Sequence, residues 1–209
     1  MIDNRKRGQS TVIVIDDDES VRDALKGLFE SVGLFTEVHG SVADFLAADS
    51  PDRPGCIVLD IRLPGQSGLE FQEALAKSHH PRSVVLISAH VDVAMAVRAM
   101  KAGAIDVLTK PVREQDLLEA VNRALASDTA RRNEMNQLTV LRLRHSKLTD
   151  RERQIMDLVV TGKLNKQIAS EVHLAEATVK LHRGHMMRKM RATSIADLVR
   201  MAGILGGAP

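Results

Sequence analysis

Five short apolar runs, at 11–15, 35–38, 56–59, 84–87 and 105–108, punctuate the first 127 residues. Segments with helical spacing of apolar residues separate them, at about 19–32, 41–47, 67–77, 91–102 and 113–126. In the first, Val21, Leu25, Leu28, Phe29 and Val32 recur on one helical stripe. Ser41 and Ser67 stand where N-caps belong. Strands joined through helices run parallel and need cover on both faces. The expected fold class is α/β, a five-stranded parallel doubly wound domain, and the remainder of the chain reads as a small all-α domain. In such sheets functional groups gather at the carboxyl ends of the strands.

Those ends carry unusual residues. The first run, in VIVIDDDES, stops at Asp16 and Asp17; the third, in CIVLDIRLPGQSG, ends at Asp60; the fourth, in VVLISAH, at Ser88; the fifth, in VLTKP, at Lys110 and Pro111. Parallel strands bring these side chains to one rim. Three carboxylates at close range make an oxygen-rich site for a hard divalent cation, Mg²⁺ above all, with Lys110 as a second cation. Asp18 and Glu19 are expected to face solvent, Glu19 also suiting a helix N-terminus. A carboxylate beside Mg²⁺ and a lysine can attack phosphorus, because both cations neutralise the oxygens of a transferring phosphoryl group. Asp60 is the candidate nucleophile, on a loop shaped by Pro64, Gly65 and Gly68. Ser88 is placed to hydrogen-bond the acyl phosphate. Each acid alone also reads as an ordinary strand-end turn residue; four matched ends favour a site.

Charge divides the chain. Residues 10–127 hold 11 Lys/Arg against 18 Asp/Glu, a net of −7, and residues 147–209 hold 11 against 6, a net of +5. This asymmetry suggests two domains with different partners, with scattered surface charge as the plain alternative. The expected limits are 10–127 for the first domain, 128–146 for a helical linker and 147–209 for the second. Residues 113–145 read as one long helix whose polar stretch, SDTARRNEMNQ, becomes the linker; a break near Ser127-Asp128 is the alternative. Beyond it helices are expected at about 150–161, 165–172, 176–190 and 194–205, with Thr149 and Glu152 as a capping box, Gly162 as a C-cap and a frayed GGAP tail. No apolar run approaches the roughly 18 residues of a membrane span, and no signal-like segment comes after the basic MIDNRKRGQS, so a cytoplasmic protein without membrane partners is expected. The one cysteine, Cys56, reads as an inert buried thiol.

Residues 10–127 resemble the receiver domain of two-component response regulators, through VIDDD, VLDIRLPGQSG, LISAH and GAIDVLTKP. The resemblance implies that Asp60 accepts phosphate from a histidine kinase. It implies that Asp16, Asp17, Asp60 and the Arg62 carbonyl hold Mg²⁺. Ser88 becomes the switch hydroxyl, Lys110 the phosphate partner, and Lys110-Pro111 a cis peptide. Two positions depart from the pattern. Val107 stands where most receivers carry an aromatic switch residue, and Val112 where Phe usually follows Lys-Pro.

Residues 147–205 resemble the LuxR-type helix-turn-helix module of the FixJ/NarL regulators, through LTDRERQIMDLVVTGKLNKQIASEVHLAEATVKLHRGHMMRKM. The segment at about 176–190 is then the recognition helix for the major groove, with Lys180, His182, Arg183, His185, Arg188 and Lys189 spread over more than one face. By resemblance, Lys180, Leu181 and Gly184 lie where relatives contact bases, and Lys166 and Thr178 near the backbone; Arg183 and Arg188 complete the expected DNA-binding set. Gly184 replaces a lysine of some relatives and costs about 1 kcal/mol in a helix. Ala175 replaces a Ser or Thr cap, a loss of about 1 kcal/mol. A solvated basic face is the alternative for this region, and a metal bound by His182 and His185 lacks further ligands. All four Phe fall in the first domain and there is no Trp or Tyr, which favours duplex DNA over base stacking on single strands. Ile195, Leu198, Val199, Ala202 and Leu205 line the last helix, which pairs DNA-binding domains in relatives or serves as core here.

The reading is a transcriptional regulator rather than an enzyme, controlled by phosphoryl transfer. Its expected partners are a sensor histidine kinase, double-stranded promoter DNA, a second copy when phosphorylated, and RNA polymerase as a further partner class. Rivals are a regulator of this architecture that works without phosphate, a phosphohydrolase using an aspartyl phosphate, and a ligand-gated LuxR-type regulator. Arg62 stands where the phosphohydrolase needs a second acid, and the acid rim stands where the ligand-gated class needs a pocket domain.

Overall fold

Strands β1 (Thr11–Ile15), β2 (Phe35–His39), β3 (Gly55–Asp60), β4 (Ser83–Ser88) and β5 (Asp106–Thr109) form one sheet in the order β2-β1-β3-β4-β5. Every pairing is parallel. The computed structural model describes residues 10–48, 53–78 and 81–206. The expected tail behaviour at 1–9 and 207–209 lies outside the described residues. Ile105 precedes β5 rather than opening it, though its N–H still donates to Val84 O at 2.8 Å.

Alternating pleat sends side chains to two faces. Val12, Val14, Cys56, Val58, Val85 and Ile87 pack under Phe29 of α1 (Glu19–Ser31) and Leu117, Val121 and Ala124 of α5 (Glu114–Ser146). Ile13, Ile15, Ile57, Leu59, Val84 and Leu86 pack under α2 (Val42–Ala47), α3 (Gly68–Ala76) and α4 (Val93–Lys101). Near-continuous apolar strands are what a doubly covered parallel sheet requires. Cys56 is fully buried, and burial pushes its thiol up to about 12, with the Asp128 charge adding to the shift. That thiol stays protonated and inert.

Helix ends follow local chemistry. Ser41 caps α2 through Asp44 N–H, whereas Ser67 holds the N-cap position of α3 without a side-chain bond. Asp18 is exposed, as expected, yet its carboxylate has a specific role: it caps α1 by accepting from Ser20 N at 2.9 Å and Val21 N at 3.4 Å.

α5 runs unbroken for 33 residues, so the alternative break at Ser127-Asp128 does not occur. Its polar middle is also not purely solvated. Asp128 is fully buried, accepts from Gly55 N at 3.0 Å and from Arg132 Nε at 2.7 Å, and also pairs with Arg131. Arg132 in turn donates to Arg53 O at 2.9 Å. These bonds tie α5 to the start of β3, and the chain divides into two units between Arg132 and Asn133.

The second unit contains α6 (Asp150–Val160), α7 (Asn165–Glu171), α8 (Glu176–Met190) and α9 (Ile195–Gly206). Ile155, Met156, Val159, Ile168, Val172, Val179, Met186, Met190 and Leu198 form its core. Thr149 and Glu152 make the expected capping box. Thr161 is the C-cap of α6, and Gly162 comes next at φ +85°, a conformation that suits glycine. The α7–α8 turn closes through Leu174 N to Ala169 O at 3.0 Å, with His173 left-handed at φ 52°.

Replacing Asp128 by Ala leaves the Gly55 N–H and the Arg132 guanidinium without their buried acceptor. Asp128→Ala is expected to destabilise the first unit by about 2 kcal/mol, read by urea denaturation with the second unit's transition unchanged.

Candidate functional site

The sheet delivers Asp16, Asp60 and Lys110 to one rim because all three share the pleat parity of Val14, Val58 and Leu108. Asp16 is fully buried and Asp60 nearly so. Lys110 Nζ lies 2.6 Å from Asp16 Oδ2 and 2.6 Å from Asp60 Oδ2. Asp17, one residue further beyond β1 than Asp16, is exposed. Oxygens of Asp16, Asp17 and Asp60 lie within 4.8 Å of one another; among the described residues this is the only group of three or more acids, histidines or cysteines close enough to share an ion. His182 and His185 form no such group.

Backbone donors fix the carboxylates. Asp18 N donates to Asp16 Oδ1 at 3.0 Å, and Arg62 N to Asp60 Oδ1 at 2.9 Å. Gly68 allows the loop after β3 to fold back, since a Cβ there would stand 2.0 Å from Asp60 O. Burial pushes the Asp16 carboxyl above its ordinary range, against the pull of the Lys110 ammonium. Burial also opposes the charge on Lys110, but its bonds to Asp16 and Asp60 outweigh it and hold the ammonium above the usual lysine value. One ammonium thus faces three carboxylates. The all-oxygen donor set and the surplus negative charge fit a hard divalent cation.

Ser88 is buried and leaves β4 on the opposite pleat face, where its Oγ donates to His90 O at 3.2 Å and receives His90 N–H at 3.4 Å. Lys110 N donates to Ser88 O at 2.8 Å, and the Lys110-Pro111 peptide is cis. Val107 shares the Ser88 face and packs, partly buried, on that core. Sequence reasoning passed over Arg22, whose Nη1 donates to Asp16 O at 2.7 Å and Asp17 O at 2.9 Å.

In the second unit, α8 buries Val179, Met186 and Met190 and exposes Lys180, Leu181, Gly184 and Arg188. The exposed four follow helical spacing and form one stripe. Ala177, absent from the expected set, continues it. Lys166 is exposed on α7 and Thr178 is half-buried. Arg183 turns aside: it is half-buried and donates to Asn165 Oδ1 at 2.6 Å, bracing α8 against α7. Ala175 holds the N-cap of α8 without a side-chain bond, as its methyl dictates. Glu152 is buried, accepts from Thr149 N at 2.8 Å and pairs with Lys189 of α8 at 2.6 Å.

Residues 12–122 match the family model of the response regulator receiver domain, and residues 146–202 that of bacterial regulatory proteins of the luxR family. The chain belongs to the two-component response regulators. It is similar to nodulation protein W of Bradyrhizobium diazoefficiens, at 47% identity over 95% of this chain and 87% of that protein. It is also similar to response regulator protein TmoT of Ectopseudomonas mendocina, at 42% identity over 92% of this chain and 88% of that protein. Among solved structures, response regulator StyR superposes with a TM-score of 0.84 at 43% identity, over 94% of this chain and 99% of that one. Full-length FixJ from B. japonicum gives 0.58 at 32% identity, over 97% and 100%. As a response regulator the chain joins a receiver domain, which implies a histidine kinase partner, to a LuxR-type domain, which implies DNA binding. No helix among the described residues is long and apolar enough to cross a membrane.

The Glu152 contact generates a pH-dependent contribution to stability. Burial raises its pKa, but the Lys189 ammonium and the Thr149 N–H outweigh burial and hold the carboxyl below the usual glutamate range. A depressed pKa contributes stability that is present above the unfolded-state value and lost as pH falls through the folded one. The melting temperature of the second unit should therefore fall as pH drops below the ordinary glutamate range. Glu152→Gln should lower its stability at neutral pH by about 1–2 kcal/mol and flatten that acid limb.

Proposed function

We propose that Asp60 takes a phosphoryl group from the phosphohistidine of a sensor kinase, and that this transfer controls binding of the second domain to promoter DNA. The observation that carries the reading is the Lys110 ammonium bridging Asp16 and Asp60 at the carboxyl rim. An Asp60 carboxylate oxygen forms the new bond to phosphorus as the phosphorus–nitrogen bond breaks, and the histidine keeps the electron pair. Asp16, Asp17, Asp60 and the Arg62 carbonyl would hold Mg²⁺, which supplies charge neutralisation for the phosphoryl oxygens when bound. Lys110 is within reach of the same oxygens. Ser88 exchanges its His90 contact for a phosphoryl oxygen.

Val107 has no ring to rotate inward, so a rotating aromatic side chain does not carry the signal here. This substitution is also what favours the second reading, a regulator of the same architecture that works without phosphate.

On the DNA side, Lys180, Leu181, Gly184 and Arg188 face base edges, with Lys166 and Thr178 on the phosphate backbone. Arg183, the remaining member of the expected set, braces α8 through Asn165. Of the apolar residues expected on α9, Leu198, Ala202 and Leu205 pack into the domain core, while Ile195 and Val199, joined by Ile204, are exposed and support pairing of two domains on an inverted-repeat site. The phosphorylated protein is a dimer that works in the cytoplasm, with RNA polymerase as a further partner. The functional limits are 10–127 for the receiver, 128–146 for the linker and 147–209 for the DNA-binding domain.

Phosphoramidate with Mg²⁺ should add one phosphoryl group to the wild type, read by intact mass. Asp60→Asn should gain none, and Asp17→Asn should react at least about tenfold more slowly. Equal labelling of wild type and Asp60→Asn would overturn the assignment.

A further inference from the structure

We propose that Arg22 is a positioning residue for the acid rim: its guanidinium holds the turn that carries Asp16 and Asp17, and thereby sets the affinity for a divalent cation. Arg22 sits at the start of α1, four residues past the capping Asp18. One of its terminal nitrogens, Nη1, spans two consecutive carbonyls, at 2.7 Å from Asp16 O and 2.9 Å from Asp17 O. The amide side of the same turn is held as well, by Asp16 N to His39 O at 3.2 Å and by Asp18 N to Asp16 Oδ1 at 3.0 Å. The Asp17–Asp18 peptide is thus held at both its carbonyl and its amide, and the Asp16–Asp17 peptide at its carbonyl, which restrains the directions in which the two side chains leave the turn. The bonds run to backbone carbonyls, which leaves the carboxylate oxygens for a cation. The proposal rests on the reading of the rim as a cation site.

Charge and geometry make opposite demands at this position. As a bare positive charge, Arg22 would repel a cation, and removing it would tighten binding. As a brace, it pre-forms the turn, and removing it would weaken binding. Mg²⁺ demands near-ideal octahedral geometry and tolerates misplaced ligands poorly. Groups that orient metal ligands without touching the metal typically contribute about 10- to 100-fold in affinity. Geometry should therefore win.

The test is Mg²⁺ binding to the full chain by titration calorimetry, with metal-free melting curves in parallel. Wild type, Arg22→Ala, Arg22→Lys and Asp17→Asn are compared. Arg22→Ala is expected to raise the Mg²⁺ Kd by at least about tenfold while still melting cooperatively. Arg22→Lys keeps the charge but replaces the planar fork by a compact ammonium, and should fall between the two. If Arg22→Ala does not fold, Arg22→Lys decides: a weakened Kd supports the brace, and a wild-type Kd overturns it. An unchanged or tighter Kd in folded Arg22→Ala also overturns it, while weakened binding by Asp17→Asn in the same series leaves the cation site standing. Absence of Mg²⁺ uptake by the wild type would remove the cation site and this proposal together.

Discussion

The Lys110 ammonium lies between two carboxylates that the sheet forces together, 2.6 Å from each. Carboxylates within 4.8 Å of one another repel by about 3 kcal/mol at an effective dielectric of about 20. Parallel topology makes this repulsion unavoidable, because β1, β3 and β5 all end at the same rim. Lys110 answers only part of it, and burial leaves the Asp16 carboxyl still raised. The residual negative charge sits where a hard divalent cation can relieve it. Much else in the first unit serves to keep that arrangement in place: Arg22 and His39 at the β1–α1 turn, Gly68 beneath Asp60, and the Arg62 amide on Asp60.

The second unit uses a similar device for a different end. Glu152 is buried at the start of α6 and joins the capping box to Lys189 near the end of α8. Arg183 and Asn165 make a second polar tie, between α8 and α7. Between them these contacts orient α8, so that Lys180, Leu181, Gly184 and Arg188 share its exposed stripe. Basic residues on α8 therefore divide into those that face outward and those that hold the helix. Lys189 and Arg183 belong to the second group.

The strand–helix order and the acid rim were legible in the sequence because both come from periodicity and topology alone. Asp16, Asp60, Ser88 and Lys110 end their apolar runs, and a parallel sheet has only one place to put such ends. The role of Asp128 was not legible. SDTARR is polar and reads as a solvated linker, while its partners Gly55 and Arg53 lie more than seventy residues away in sequence. Arg22 was missed for a related reason: its acceptors are backbone carbonyls, which leave no mark on residue type. The outward face of α8 was only partly legible, since the Asn165 contact that turns Arg183 aside depends on how α7 meets α8. The capping role of Asp18 lay hidden beside two more conspicuous aspartates.

The central claim is that phosphoryl transfer to Asp60 changes the state of the whole chain, even with Val107 in place of an aromatic residue. Light scattering of the purified protein with Mg²⁺, with and without beryllofluoride, tests it most directly when Asp60→Asn is run alongside. The account predicts a shift from monomer to dimer in the wild type with beryllofluoride, and in no other sample. An unchanged mass in every sample, with DNA binding intact, would contradict it and show that the acid rim no longer governs output.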